Sequence, residues 1–146
     1  YLGPDEKFQI YRPKPKWFSR SSGKSFLLGY EQLPYKGRTL LILSGMKDGL
    51  CAKVATGWPF LGASGEMDYK SIQAKLPELR QRFSYIGVCM DPDPAGNDAD
   101  NLFKKELNLP IFDFPYIDDH SDIADLMIRF GPQKMRMAFM NKTKLV

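Results

Sequence analysis

The chain is poor in the residues on which stapled or metal-built scaffolds depend. Its 146 residues hold 2 cysteines and 1 histidine. Cys51, Cys89 and His120 are too few and too widely spaced for a structural zinc site. Cys51 falls in a helical stretch and Cys89 in an apolar, strand-like run, so both read as buried reduced thiols rather than a disulfide or a nucleophile. Long apolar runs are also missing. Leu40-Leu41-Ile42-Leu43 is among the longest and is far too short to cross a bilayer, which excludes a helical membrane span; no membrane partner is expected. No charged–apolar–small segment of secretory type opens the chain, and there is no internal repeat or low-complexity tract. A cytoplasmic setting is the expectation. The chain begins at Tyr1 without an initiator methionine and reads as a fragment.

What is present suits an ordinary globular protein: 43% apolar and 26% charged residues, in a length that fits one compact domain. The net charge of +4 matters less than where it sits. Residues 1–38 carry 8 basic against 3 acidic side chains, residues 39–130 carry 9 against 14, and residues 131–146 carry 4 against 0. An acidic centre lies between basic ends. Metal-binding carboxylates beside phosphate-binding arms produce this pattern, and so does an uneven surface charge with no role.

Composition divides the chain into a basic, Pro- and aromatic-rich extension over 1–38 and a main domain over 39–146. In the extension, Phe8-Gln9-Ile10-Tyr11 alternates like a strand before Pro13 and Pro15 break it. Ser21-Ser22-Gly23 reads as a turn and Phe26 to Tyr30 as a short strand. In the main domain the spacing predicts strands over Thr39–Leu43, Trp58–Leu61, Tyr85–Met90 and Ile111–Tyr116. Helices are predicted over Lys47–Ala55, Tyr69–Phe83, Ala95–Leu107, Ser121–Phe130 and Gln133–Met140. The first should bury Leu50, Cys51 and Val54; the second has Asp68 as a cap and Pro77 as a kink or break. Gly131 should end the fourth. Strands alternating with helices predict an α/β fold: a parallel sheet of about four strands with helices on both faces, plus a small β-rich N-terminal extension. Ligands in such sheets bind beyond the carboxyl ends of the strands.

The residues that follow each strand are therefore the candidate site. Met90-Asp91-Pro92-Asp93-Pro94-Ala95-Gly96 follows the third strand. Side chains two apart on extended backbone point the same way, so Asp91 and Asp93 should converge. Two close carboxylates repel each other unless a cation lies between them, and hard oxygen donors without His or Cys favour Mg2+ or Mn2+. The same spacing also makes Asp93 a helix N-cap with Pro94 at the first helical position. Ser44-Gly45-Met46-Lys47-Asp48 follows the first strand. Gly45 permits close backbone approach, Lys47 offers a charge to phosphate, and Asp48 either favours the helix dipole or reaches the metal. Gly62-Ala63-Ser64-Gly65-Glu66 reads as a small-residue loop or an ordinary turn. Asp118-Asp119-His120-Ser121-Asp122 adds carboxylates after the fourth strand, or simply starts a helix. In the extension, Arg12, Lys14, Lys16 and Arg20 supply positive charge, and Trp17 and Phe18 supply stacking faces.

In order, these segments resemble the Toprim domain shared by bacterial and phage primases, topoisomerases of types IA and II, and some nucleases. Asp91-Pro92-Asp93-Pro94-Ala95-Gly96 is similar to the primase form of its D-x-D motif, Leu61-Gly62-Ala63-Ser64 to its small-residue loop, and Asp119-His120-Ser121-Asp122 to its downstream acidic segment. Tyr11-Arg12-Pro13, Lys16-Trp17-Phe18 and Leu28 to Leu33 resemble the stretch that precedes the domain in phage-type primases. The resemblance implies Mg2+-dependent RNA primer synthesis on a single-stranded DNA template from nucleoside triphosphates, beside a replicative helicase. Asp91 and Asp93 would hold metal, and Lys47, Gly45, Gly62 and Ser64 would lie near nucleotide. One position departs: the family's first-strand acid, usually Glu, is Ser44. A serine hydroxyl does not replace that acid at neutral pH without a partner. Either Glu66 or Asp48 takes its place, or the chain is a catalytically weakened nucleic-acid- or nucleotide-binding module. A Toprim nuclease is the remaining reading; a topoisomerase would need a nucleophilic tyrosine from another region.

Overall fold

Leu40, Leu41, Ile42 and Leu43 are all buried, as a strand covered on both faces requires. The computed structural model describes residues 9–13, 16–20, 27–63 and 69–146. It opens with β1 (Gln9–Pro13) and β2 (Lys16–Arg20), an antiparallel pair in register from Gln9 opposite Arg20 to Pro13 opposite Lys16. The sequence pattern stops the strand before Pro13. A two-stranded ribbon has only edges, where proline is tolerated, so β1 runs through it. Phe8, Lys14, the Ser21-Ser22-Gly23 turn and Phe26 lie outside the described residues.

The main sheet has three parallel strands: β3 (Gly37–Leu43) in the middle, β4 (Phe60–Gly62) on one side and β5 (Phe83–Cys89) on the other. Its carboxyl ends are thus Leu43, Gly62 and Cys89. Alternate side chains of β3 enter opposite cores. Leu40 and Ile42 pack with Ile72, Leu79 and Phe103, from α2 (Tyr69–Arg82) and α3 (Pro94–Leu107). Leu41 and Leu43 pack with Ala52, Leu126 and Phe139, from α1 (Met46–Thr56) and α4 (Ile123–Asn141). The predicted α/β architecture with helices on both faces is present.

Further details differ from the sequence pattern, and Phe83, expected to close the second helix, opens β5 instead. The predicted fourth strand is a single parallel bridge between Ile111 and Val88. Val88 N–H donates to Pro110 O at 3.0 Å and Phe112 N–H to Val88 O, and the ladder then ends. Side chains occupy its next positions: Met90 N–H donates to Asp100 Oδ1 at 3.4 Å, and Met90 O accepts the Tyr116 hydroxyl at 2.9 Å. The expected strand at Phe26–Tyr30 is likewise one antiparallel bridge, between Leu28 and Gly62. On α1 the buried positions are Asp48, Gly49, Ala52, Ala55 and Thr56, while Leu50 and Val54 are exposed. The helix lies so close to the sheet that a Cβ on Gly49 would collide with the Phe60 ring. Pro77 stays inside α2 on its exposed side, where the carbonyl it frees can meet water. Gly131 does break α4 as expected: its φ of 74° needs glycine, and Pro132 starts the second helical segment.

Candidate functional site at the carboxyl edge of the sheet

Two of the loops leaving the parallel strands carry charged groups to one edge. β5 leads through Met90 to Asp91 and then to Asp93, the N-cap of α3, whose Oδ1 accepts the Gly96 N–H at 2.8 Å. The capping role that the spacing allowed for Asp93 is therefore filled. Gly96 has no space for a side chain, because a Cβ there would collide with the Asp91 carbonyl. After β3, Ser44 turns the chain into α1. Its Oγ accepts the Asp91 N–H at 3.0 Å and contacts Met90 Sδ at 3.6 Å.

Lys47 and Asp48 begin α1 and reach different partners. Lys47 Nζ pairs with Asp122 Oδ2 at 2.7 Å. Asp122 is the N-cap of α4, and its Oδ1 accepts the Asp125 N–H at 2.7 Å. Asp48 is buried, and its Oδ1 accepts the Ala124 N–H at 3.0 Å. Among the described residues, Asp122 was legible only as a helix start or an added carboxylate; the fold brings it beside Lys47.

Electrostatics bind these groups into one site. Burial pushes the Asp48 carboxyl up to about 7, and the charges of Asp122 and Asp91 add to the shift against the Ala124 N–H and Lys47. Burial also raises Asp91. Repulsion from Asp122 and, less strongly, Asp93 adds to it, while the Ser44 hydroxyl and Lys47 oppose it. Burial works against the Lys47 ammonium, but the bond to Asp122 and the charges of Asp48 and Asp125 outweigh it and hold its pKa up. The main electrostatic opponent of Asp91 is thus Asp122 rather than Asp93. A single lysine leaves this repulsion in place, and a cation would relieve it.

The donor set suits a hard divalent ion, since it offers carboxylates and no soft ligand. Among the described residues, no group of three His, Cys, Asp or Glu side chains is arranged to hold a metal. The residues present would at most hold such an ion through one or two carboxylates, with water and phosphate oxygens supplying the rest, as Mg2+ accepts.

The other sequence candidates are placed as follows. Gly45 faces open space, whereas the bare Cα of Gly62 lets the Gly45 backbone and the Leu28 side chain approach. Ser64, Glu66 and the predicted cap Asp68 lie outside the described residues, as does Lys14. Arg12, Lys16, Trp17, Phe18 and Arg20 lie on the β1–β2 hairpin, of which only the backbone is described. Two side chains that no local pattern singled out, Asp100 and Tyr116, bond the backbone next to Asp91.

No protein-family model matches this chain, and neither does any curated protein. Among solved structures, the chain is similar to the primase fragment of the bacteriophage T7 primase-helicase protein, with a TM-score of 0.68 and 22% sequence identity. The match covers 91% of this chain and 56% of that fragment, so the chain spans little more than half of its length. The likeness establishes a shared α/β fold.

Proposed function

We propose that this chain is the Toprim-type catalytic domain of a DNA primase, making RNA primers on single-stranded DNA with Mg2+ or Mn2+. The observation that carries the reading is the Asp91-Pro92-Asp93 turn beyond β5, with Asp122 and Lys47 at the same edge. The fold shared with a phage primase fragment adds to it. Asp91, with Asp93, would hold the ion, which supplies charge neutralisation to a triphosphate during phosphoryl transfer. Lys47 would give up part of its pairing with Asp122 to a phosphate oxygen. Gly45, open on its outer side, and Gly62 and Ser64 would border the nucleotide. Arg12, Lys14, Lys16, Arg20 and Trp17 would follow the template by charge and stacking. Asp48, buried and bonded to Ala124, would act on the site through its charge rather than by touching substrate. Glu66 remains the candidate for the missing acid. A replicative helicase would be the partner, in the cytoplasm.

One observation favours a second reading, a nucleic-acid- or nucleotide-binding module with weakened catalysis. Ser44 stands where the resemblance places an acid, and its hydroxyl is engaged with the Asp91 N–H. Primer synthesis from nucleoside triphosphates on single-stranded DNA separates the two. Catalysis predicts product that falls at least about a hundredfold in an Asp91→Ala, Asp93→Ala double variant. Undiminished synthesis by that variant would reject the assigned role. DNA binding without any synthesis by the unaltered chain would favour the second reading.

A further inference from the structure

We propose that Ser44, Asp100 and Tyr116 are positioning residues that together fix the backbone from which Asp91 projects. The inference rests on the proposed role of Asp91 as a metal-holding carboxylate.

Met90 and Asp91 lie past the end of both backbone ladders of β5. Pairing with β3 stops at Leu43 opposite Cys89, and the single bridge on the outer side is at Val88. Two residues leaving a sheet in this way would ordinarily be free to move. Here three successive backbone groups are taken by side chains from three separate parts of the fold. Met90 N–H donates to Asp100 Oδ1 of α3, Met90 O accepts the Tyr116 hydroxyl, and Asp91 N–H donates to Ser44 Oγ at the end of β3. Met90 itself is buried, so an unpaired amide or carbonyl there would be costly.

The hydroxyl of Tyr116 is well placed for this and poorly placed for other chemistry. Its ring packs edge-on against Phe114 with centroids 4.9 Å apart, and its hydroxyl lies 3.7 Å from Cys89 Sγ. Burial raises the pKa of the phenol, which keeps it a donor rather than a proton acceptor. Asp100, on α3, accepts the Met90 N–H. Ser44 occupies the position where the resemblance expects an acid, yet its Oγ accepts from the Asp91 backbone and its hydroxyl also favours the Asp91 carboxylate. The polar groups around Asp91 thus aim a carboxylate. Groups that orient a metal-holding side chain typically change affinity about 10- to 100-fold when removed.

The test uses the chain with Ser44→Ala, Tyr116→Phe, Asp100→Asn and the conservative Ser44→Thr. Mn2+ affinity is read by water-proton relaxation, and exchange of the Asp91 amide proton is read by NMR without metal. We expect Ser44→Ala and Tyr116→Phe to weaken Mn2+ binding about tenfold. Ser44→Ala should also speed Asp91 amide exchange about tenfold, and Ser44→Thr should restore both. Asp100→Asn keeps an acceptor oxygen and should change neither. If Tyr116→Phe does not fold, Ser44→Ala with its threonine rescue decides. Should the unaltered chain bind Mn2+ and the folded Ser44→Ala and Tyr116→Phe variants bind it equally well, the positioning role is overturned while the metal reading stands. Should the unaltered chain bind no Mn2+, the metal reading falls. Amide exchange then judges the positioning alone: faster exchange rescued by threonine upholds it, and unchanged exchange overturns it.

Discussion

The buried Asp48 carboxylate accepts the Ala124 N–H at 3.0 Å, joining the first turns of α1 and α4 across 76 positions of sequence. The bond gives a helix-start amide a partner in the interior. It also puts a carboxyl in a poorly solvated place near Asp122 and Asp91, which is why its pKa rises to about 7.

The sign of the resulting pH dependence follows from that rise. Between its ordinary value of 3.8 and about 7 the folded chain keeps the Asp48 proton that the unfolded chain releases. Its contribution to stability is complete below the lower value and is lost as pH climbs through the upper one. Asp100, raised by burial to about 6, acts in the same direction. Metal-free thermal melts should therefore show a lower Tm at about pH 8 than at about pH 5, with at most about a few kcal/mol of stability lost between them. Asp48→Asn, which retains an acceptor for Ala124, should remove a large part of the slope and leave the parts due to Asp100 and Asp91. A slope as steep in the variant as in the parent would show that Asp48 does not carry the linkage.

Two glycines give opposite expectations. Gly96→Ala would drive a Cβ into the Asp91 carbonyl oxygen, and backbone cannot give way as a side-chain tip can. The variant should lose about 1–3 kcal/mol in denaturant melts, as overpacked sites do. Gly45→Ala meets nothing within 4 Å and has extended backbone at φ 175°. Its stability should change by less than about 0.5 kcal/mol, while nucleotide binding should fall if phosphate approaches that turn. Equal melts for both variants would contradict the packing at Gly96.

The contrast between these positions shows what the sequence could and could not reveal. The buried strands were legible because Leu40–Leu43 and Ile86–Met90 are apolar runs, and a strand covered on both faces leaves no other pattern. The break in α4 was legible because Gly131-Pro132 is a local signal. The buried face of α1 is not the one that hydrophobicity points to, Leu50 and Val54: Phe60 leaves no room for a side chain at Gly49, and Ala52 and Ala55 are the apolar residues buried beside it. Size, set by a partner distant in sequence, outweighed hydrophobicity. Asp91 and Asp93 stood out by their spacing. The bonds that Tyr116, Asp100 and Asp122 make to Met90 and Lys47 span between 10 and 75 positions, and no local pattern records such contacts.

Lys47 separates stability from function. Its pair with Asp122 is partly solvated, with side-chain exposures of 45% and 24%. Such pairs contribute about 1 kcal/mol or less. Lys47→Met should therefore melt close to the parent in a thermal scan. It should weaken nucleoside triphosphate binding about tenfold in calorimetry if the ammonium meets phosphate. A variant with full affinity would remove Lys47 from the site.

The core gives a structural control. Phe103 is fully buried against the face of the sheet that carries Leu40 and Ile42. Phe103→Ala should cost about 3–5 kcal/mol in urea unfolding. A loss below about 1 kcal/mol would be inconsistent with a closed core beneath α3.

The account depends most on the carboxylates beyond β5 having a cation to share. A titration of the 15N-labelled chain with trace Mn2+ tests this directly, because the paramagnetic ion broadens only the amides near it. The account predicts selective loss of the Asp91, Asp93, Lys47 and Asp122 signals, reversed by excess Mg2+ and absent in the Asp91→Ala, Asp93→Ala variant. Uniform weak broadening across the chain, or selective broadening that survives in that variant, would contradict it.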